Sequence, residues 1–423
     1  FIEMLVFALG CLTGLELPLF MDLGTKTNWK FSTEKVLFIN YLGSLFSIIF
    51  IFMFLDLGIN SLMQILYFSI YNSIIILFIA FISTTISHKH KLLIMIPIFV
   101  QVYAIGSFPS LYEIYKKTYY FSVKINQFSP HKYTDFINVI GKFGKVKSIQ
   151  TKYQEIDLVE SHSLANTISS YDYTLYLDRK PQFSIENVTV YHQSFAHAPI
   201  HLMKNTPEKV LILGGGDGLL AAELLRNSKI KEIKLIELDK KMVDLAKSEY
   251  QLLKVNARSL TNKRVKVIYD NALSYIRNLP SESVDAIYID FPYPNNYELL
   301  KLYSYEFYRE IFRIISKDGF AILDAPVISP DFPLVKENDF LQIFFNTTTK
   351  AGFKTFFAFG TSEPFIMLSK HKQNLKFNYL DLPNLIDKKV YTNLISFEKF
   401  TKDLSFNPKN INSVFKPGTF NDE

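Results

Sequence analysis

The chain has 423 residues, 48% of them hydrophobic, and a formal net charge of +6; that length suits about two or three domains. The first hundred residues are almost wholly apolar while lysines and acids crowd the rest, so a membrane part precedes a soluble part. The charge is too modest for a nucleic-acid binder without a basic helix or RNA-type aromatic motif, and lone Cys11 excludes a disulfide framework or cysteine metal site.

Four apolar stretches come first, at roughly 2–20, 36–55, 62–84 and 91–108. Each is near the ~20 residues needed to cross a bilayer. The second and third are the strongest, and the fourth holds Pro97 and is expected to cross incompletely. The chain opens on Phe1 inside an apolar run, which reads as a fragment lacking upstream residues, membrane helices among them. Glu3 and Glu16 fall in the first stretch and read as helix-end acids near the headgroups. Lys26, Lys30 and Lys35 follow the first stretch and "HKHK" (88–91) the third, which places both loops on the cytoplasmic side. "HKHK" reads as a solvated basic loop rather than a metal site. Four crossings would put the soluble part outside; one non-crossing stretch restores it to the cytoplasm. The expected location is therefore the cell membrane, multi-pass, with the soluble part cytoplasmic and a lipid bilayer as partner.

A polar, aromatic-rich connector fills 111–145, after a transmembrane region at 1–110. Runs at 153–160, 173–178 and 187–192 alternate like strands and predict a small antiparallel sheet within 146–200. From 201 to 370 the pattern is strand, helix, strand: "KVLILGGGDG", "LLAAELLRN", "IKLIELD", "KKMVDLAKSEY", then "RVKVIYDNALSYI", "SVDAIYIDFPYP", "EFYREIFRIIS" and "GFAILDAP". Apolar strands alternating with helices predict an α/β Rossmann-like, methyltransferase-type, doubly wound domain with a mainly parallel sheet. Residues 371–423 read as a polar tail wrapping the surface.

In such sheets the ligand sits beyond the carboxyl ends of the strands. Four acids fall at successive strand ends: Asp217, Glu237, Asp270 and Asp290. Glu237 lies about 20 residues after the glycine loop Gly214, Gly215, Gly216, Gly218, the spacing of a ribose-binding acid. Asp270 and Asn271 stand where an adenine edge would be met. For each acid, helix N-capping is the competing reading. Glycines plus Glu237 fit dinucleotide oxidoreductases and methyltransferases equally. Asp217 separates them, because a carboxylate amid the glycines repels an anionic ligand and pairs with one ending in an ammonium.

"GGGDG" (214–218), "IELD" (236–239), "YQEI" (153–156) and "YHQ" (191–193) closely resemble the spermidine synthases, the polyamine aminopropyltransferases. "DFPYPNNYELLKLYSYEFY" (290–308), "GLELPLF" and "NYLG" (40–43) resemble their membrane-anchored bacterial branch. The resemblance implies aminopropyl transfer from decarboxylated S-adenosylmethionine, a co-substrate rather than a bound cofactor, to a diamine, putrescine first. It implies no metal, no nucleic-acid partner, and homo-oligomers formed through the soluble part. Matched by position, Asp290 is implied as proton acceptor, Asp217 as the acid holding the donor's propylamine, and Glu237 as the ribose acid. Asp270 with Asn271 is implied at the adenosine, Gln154 and His192 at the donor, and Tyr191, with Asp217 and Asp290, at the acceptor.

Four features depart from that pattern. Tyr293 stands where the family has a second loop acid; Asp324 stands where it more often has glutamine, and is expected to restore the lost charge at the acceptor. Arg179 replaces a usual glycine, and "FGTSEPFIML" (359–368) lacks an acceptor-binding tyrosine. The alternatives are an S-adenosylmethionine-dependent methyltransferase and a membrane polyamine or nucleoside sensor without turnover.

Overall fold

Three helices open the described chain: α1 (Thr33–Asp56), α2 (Ser61–Ile82) and α3 (His88–Asn126). In this computed structural model the described residues are 33–57, 59, 61–82, 87–126, 140, 143–162, 171–185, 188–292, 294, 296–324, 339–360, 364–377, 385–396, 401 and 404–417. Cys11, Glu3, Glu16, Lys26, Lys30 and Tyr293 lie outside them. The chain divides into two compact units: Phe1–Ile140 with Ser148–Glu155, and Gly141–Lys147 with Ile156–Glu423.

In the first unit, apolar side chains such as Phe52, Phe78 and Phe99 are exposed along the helices. A helix apolar all round needs an apolar surrounding. Among the described residues one segment, Met95–Phe121, is long and apolar enough to cross a bilayer, and Tyr41–Phe54 and Met63–Phe78 are shorter apolar helices. The fourth stretch, expected to cross incompletely, thus overlaps the described segment that is long enough, while the second and third hold the shorter apolar helices. Pro97 and Pro109 each delete a backbone hydrogen bond, yet α3 runs through both for 39 residues. The C-terminal part of the Met95–Phe121 segment also carries spaced charges, Lys117 pairing with Glu113 at 2.7 Å. The start of the expected connector is therefore helix. Gln101 Nε2 on α3 donates to Ser69 Oγ on α2 at 2.7 Å. Lys116, almost fully buried, reaches Glu155 at 2.6 Å, and Tyr112 donates to the same carboxylate.

Two sheets follow the helices. The smaller has the order β1-β2-β3-β4, with β1 (Gly144–Gln150), β2 (Glu155–His162), β3 (Tyr171–Leu177) and β4 (Lys180–Ser184). Runs 153–160 and 173–178 overlap β2 and β3, whereas β1 and β4 carry too little alternation to be read. The third run, 187–192, is not a strand. It opens helix α4 (Val188–Met203), in which every residue from His192 to Pro199 is buried. The β-branched start favours a strand only weakly, and packing overrides it. Phe195 meets Tyr288 edge-on at 5.6 Å, and Tyr288 donates to the Ala196 carbonyl at 2.8 Å.

The larger sheet has eight strands in the order β12-β10-β11-β9-β8-β5-β6-β7. Its parallel part is β5 (Lys209–Gly214), β6 (Glu232–Glu237), β7 (Val265–Tyr269), β8 (Val284–Asp290) and β9 (Ile315–Asp324). Between these strands run α5 (Leu219–Leu225), α6 (Lys240–Ala246), α7 (Tyr250–Val255), α8 (Ala272–Arg277), α9 (Tyr297–Leu300) and α10 (Tyr305–Ile314). Helix α11 (Asp339–Ala351) then leads to β10 (Thr355–Gly360) and β11 (Pro364–Ser369). Leu211, Ile212, Ile287 and Ile322 have no exposed surface, as continuous apolar strands covered on both faces should.

The sheet is mixed rather than parallel throughout: β11 pairs antiparallel with β9, and β10 antiparallel with β11. Residues 371–423 are more than a surface wrap. They contribute α12 (Lys388–Thr392) and β12 (Ile395–Ser396), which pairs with β10, and Tyr391 and Leu394 are fully buried. Lysines and asparagines around those few apolar residues hide that packing in the sequence.

Candidate active site

The chain runs from β5 outward to β6 and β7, then returns to place β8 on the other side of β5. Reversal of strand order at one strand opens a crevice beyond the carboxyl ends. Gly214 and Asp290, the last residues of β5 and β8, are register partners there.

The glycines are demanded by how near the acids come. Gly214 has φ +86°, and a Cβ on it would lie 2.1 Å from the Asp290 carbonyl oxygen. One on Gly216 would lie 2.8 Å from Glu237 Oε2; the Gly216 N–H instead donates to that oxygen at 3.1 Å. The other Glu237 oxygen accepts from the Asp239 N–H at 2.9 Å. Asp217 Oδ1 accepts from Leu219 N–H at 2.9 Å, so Asp217 anchors the first turn of α5. Two residues that the sequence did not single out fix the loop from behind. Asn256 donates to the Asp217 carbonyl at 2.9 Å, and Ser259 donates to the Gly218 carbonyl at 2.6 Å. Neither belongs to a motif, and both contacts span about forty residues of chain, so no local signal marks them.

Asp324 closes the other side. Ile289 pairs with Leu323 across β8 and β9, and Asp324 is the register partner of Phe365 on β11. Tyr191 on α4 packs its ring 5.2 Å from Phe365 and 5.7 Å from Phe195. His192 beside it is buried, its Nδ1 bonded to the Val188 carbonyl at 2.8 Å. With Nδ1–H as the donor, neutral His192 keeps Nε2 as an acceptor.

These groups share one electrostatic field. Burial pushes the Asp290 carboxyl well above the ordinary carboxylate range, and the charges of Asp217, Asp324 and Glu237 push it further. Burial raises Glu237 to about 7 against its hydrogen bond from Asp239 N–H, with smaller upward pushes from the charges of Asp239 and Asp217. Asp217 is raised by burial and pulled back by His192, while burial lowers His192 against the pull of Asp217. The structure thus brings together the glycine loop, Asp217, Glu237, Asp290, Asp324, His192 and Tyr191.

Asp270 and Asn271 lie one strand further out, after β7, where Asp270 N–H donates to the Glu237 carbonyl at 3.3 Å. The capping reading holds for Asn271, whose side chain accepts from Ser274 N–H at 3.1 Å. Gln154 belongs to the first unit, in a tight turn where its N–H donates to Thr151 Oγ1 at 3.0 Å. No group of three or more histidines, cysteines or acids suited to a metal occurs among the described residues.

A crevice at the switch point of a Rossmann-like sheet, here walled by carboxylates and aromatics, is where such folds place a small-molecule ligand. The spermine/spermidine synthase domain family matches residues 188–350. A polyamine aminopropyltransferase of Oceanobacillus iheyensis is 30% identical over 328 residues, covering 75% of this chain and 57% of its own. Polyamine aminopropyltransferase 2 of Aquifex aeolicus is 27% identical over 423 residues, covering 98% of this chain and 77% of its own. A solved spermidine synthase in complex with the transition state analogue AdoDATO covers 63% of this chain and 84% of its own, at 21% identity and a TM-score of 0.46. The chain thus spans little more than half the length of the Oceanobacillus relative. The family match and these relatives together support the spermidine synthase-like polyamine aminopropyltransferase family for this chain.

Proposed function

We propose that this protein transfers the aminopropyl group of decarboxylated S-adenosylmethionine to a diamine, putrescine first, giving spermidine and methylthioadenosine. The observation that carries the reading is the mutual crowding of Asp217, Glu237, Asp290 and Asp324 around the glycine loop. Such a cleft disfavours its own ionisation and is relieved by cations, and this reaction brings two.

Glu237 holds the ribose hydroxyls, and Asp270 with Asn271 meets the adenine. Asp217, with His192 beside it, takes the donor's terminal ammonium, and Gln154 is assigned to the donor by its motif. An alkylamine of pKa near 10.4 arrives protonated and must lose a proton to become a nucleophile. Asp290 accepts it, and its raised pKa narrows the gap to the amine. The amine nitrogen attacks the propyl carbon bonded to sulfur. The C–S bond breaks, its electron pair neutralises the sulfonium, and methylthioadenosine leaves. Tyr191 lines the acceptor side, where Asp324 supplies the charge that Tyr293 does not.

The test is product analysis with decarboxylated S-adenosylmethionine against putrescine, cadaverine, agmatine and spermidine. Release of methylthioadenosine with a diamine is expected, and Asp324→Asn should weaken acceptor affinity. Release with none of the four overturns the reading. We also assign the apolar helices to the cell membrane, with the catalytic unit cytoplasmic. The exposed apolar surface of α1 to α3 supports this.

A further inference from the structure

The C-terminal segment has no role in the chemistry above, yet its hydrogen bonds converge on the chain that follows Asp290. Asn412 is almost completely buried, and it joins three elements. Its N–H donates to Thr347 Oγ1 on α11 at 2.9 Å. Its side-chain amide donates to the Leu300 carbonyl, the end of α9, at 2.9 Å. Its carbonyl accepts from Tyr305 N–H, the start of α10, at 2.8 Å. The next two residues are tied as firmly, because Glu306 accepts from Ser413 Oγ at 2.6 Å and from Val414 N–H at 3.0 Å. Those bonds hold the Glu306 carboxyl below its ordinary value against the opposing effect of burial.

The far side of the segment is anchored on α11. Asn346, fully buried, donates to the Asn410 carbonyl and accepts from the Asn407 N–H, both at 2.8 Å. The near side reaches the cleft. Tyr297 donates to the Val414 carbonyl at 2.9 Å, Tyr303 reaches the Pro292 carbonyl at 3.4 Å, and Phe291 packs on Phe307 at 6.0 Å. Hydrogen bonds thus run from α11 through the tail to Leu300, Tyr305 and Tyr297, and Tyr303 in the same stretch reaches the Pro292 carbonyl, two positions past Asp290.

We propose that residues 405–416 form a strap that fixes the 296–304 segment on the acceptor side of the cleft, with Asn412 and Glu306 as positioning residues. The donor is held by the glycine loop, Glu237 and Asp270, none of which the strap touches in these contacts. Loosening the strap therefore costs acceptor binding selectively. The inference rests on the aminopropyl-transfer reading for its substrate, but not for its mechanical content.

The experiment uses the full chain in detergent, with Asn412→Leu as the main variant and Glu306→Gln as the milder one. Asn412→Leu removes the side-chain bond to the Leu300 carbonyl, and Glu306→Gln weakens the bonds from Ser413 and Val414, losses that each cost on the order of a tenfold change in an equilibrium. The expected result is a KM for the diamine raised about tenfold, with methylthioadenosine affinity within about twofold of wild type. Hydrogen exchange is read on the same proteins. Amides of 297–305 should lose protection while those of β5 and β6 keep it. Unchanged diamine KM, or donor and acceptor affinities falling together, overturns the strap, as does unaltered exchange at 297–305. If Asn412→Leu does not fold, Glu306→Gln decides alone. If no diamine turns over, aminopropyl transfer fails while the exchange data still decide the strap.

Discussion

Asp290 and Glu237 are both raised acids, but the consequences of replacing them differ. Asp290→Asn removes the proposed proton acceptor while keeping the side chain's size, so kcat should fall about 10²- to 10⁴-fold with donor affinity kept. Steady-state kinetics beside a methylthioadenosine titration check this. The acid limb of the wild-type profile should lie above the usual carboxylate range, because Asp290 must be ionised to act. Glu237 offers a stability readout in the ligand-free protein. Its folded pKa of about 7 lies above its ordinary value. Its contribution to stability is therefore complete below that ordinary value, and is lost as pH rises through about 7. Glu237→Gln should flatten the fall in unfolding free energy between about pH 5 and about pH 8 by roughly 2 kcal/mol, and should abolish tight donor binding. Urea unfolding at the two pH values measures it. The acids were legible because each ends an apolar run at a strand-to-helix corner. Asn256 and Ser259 were not, since only the folded chain brings them to the glycine loop.

Among the elements, the β3–β4 hairpin turns on two residues, Asp178 at φ +48° and Arg179 at φ +68°. Two successive left-handed residues suit a tight hairpin, and a side chain there is strained relative to glycine. Arg179→Gly should stabilise the unit by about 1 kcal/mol, read as a raised Tm without a change in kcat. The sequence marked this turn but not β4 after it, whose five residues Lys180–Ser184 lack alternation. The misread run at 187–192 teaches the converse. Val188, Thr189 and Val190 favour a strand locally, and the buried stretch from His192 to Pro199 decides for helix. Where a strand is buried on both faces, as in β5 and β8, the unbroken apolar run carries its own assignment.

For the molecule as a whole, the apolar character of the first unit predicts how the protein behaves in cells. It should stay with the membrane fraction through high salt and alkaline carbonate, and leave only with detergent. Recovery in the soluble fraction without detergent would remove the membrane assignment. Composition alone told the apolar unit from the charged one, because hydropathy sums over many residues and tolerates local error. The antiparallel additions β10 to β12 were not legible, since the tail's few buried residues, Tyr391 and Leu394 among them, are scattered among polar neighbours.

The crowding of carboxyls at the β5–β8 crevice also makes ligand capture an acid-releasing event. Burial and mutual repulsion favour the protonated forms of Asp290 and Glu237, so docking of the proposed ammonium and sulfonium partners is expected to release protons. Heats of diamine binding should therefore vary with the ionisation enthalpy of the buffer, and the slope counts the hydrogen ions expelled. The same exchange makes affinity for a cation rise with pH through the neutral range, so capture of the proposed polyamine precursor should fall as the surroundings become more acidic.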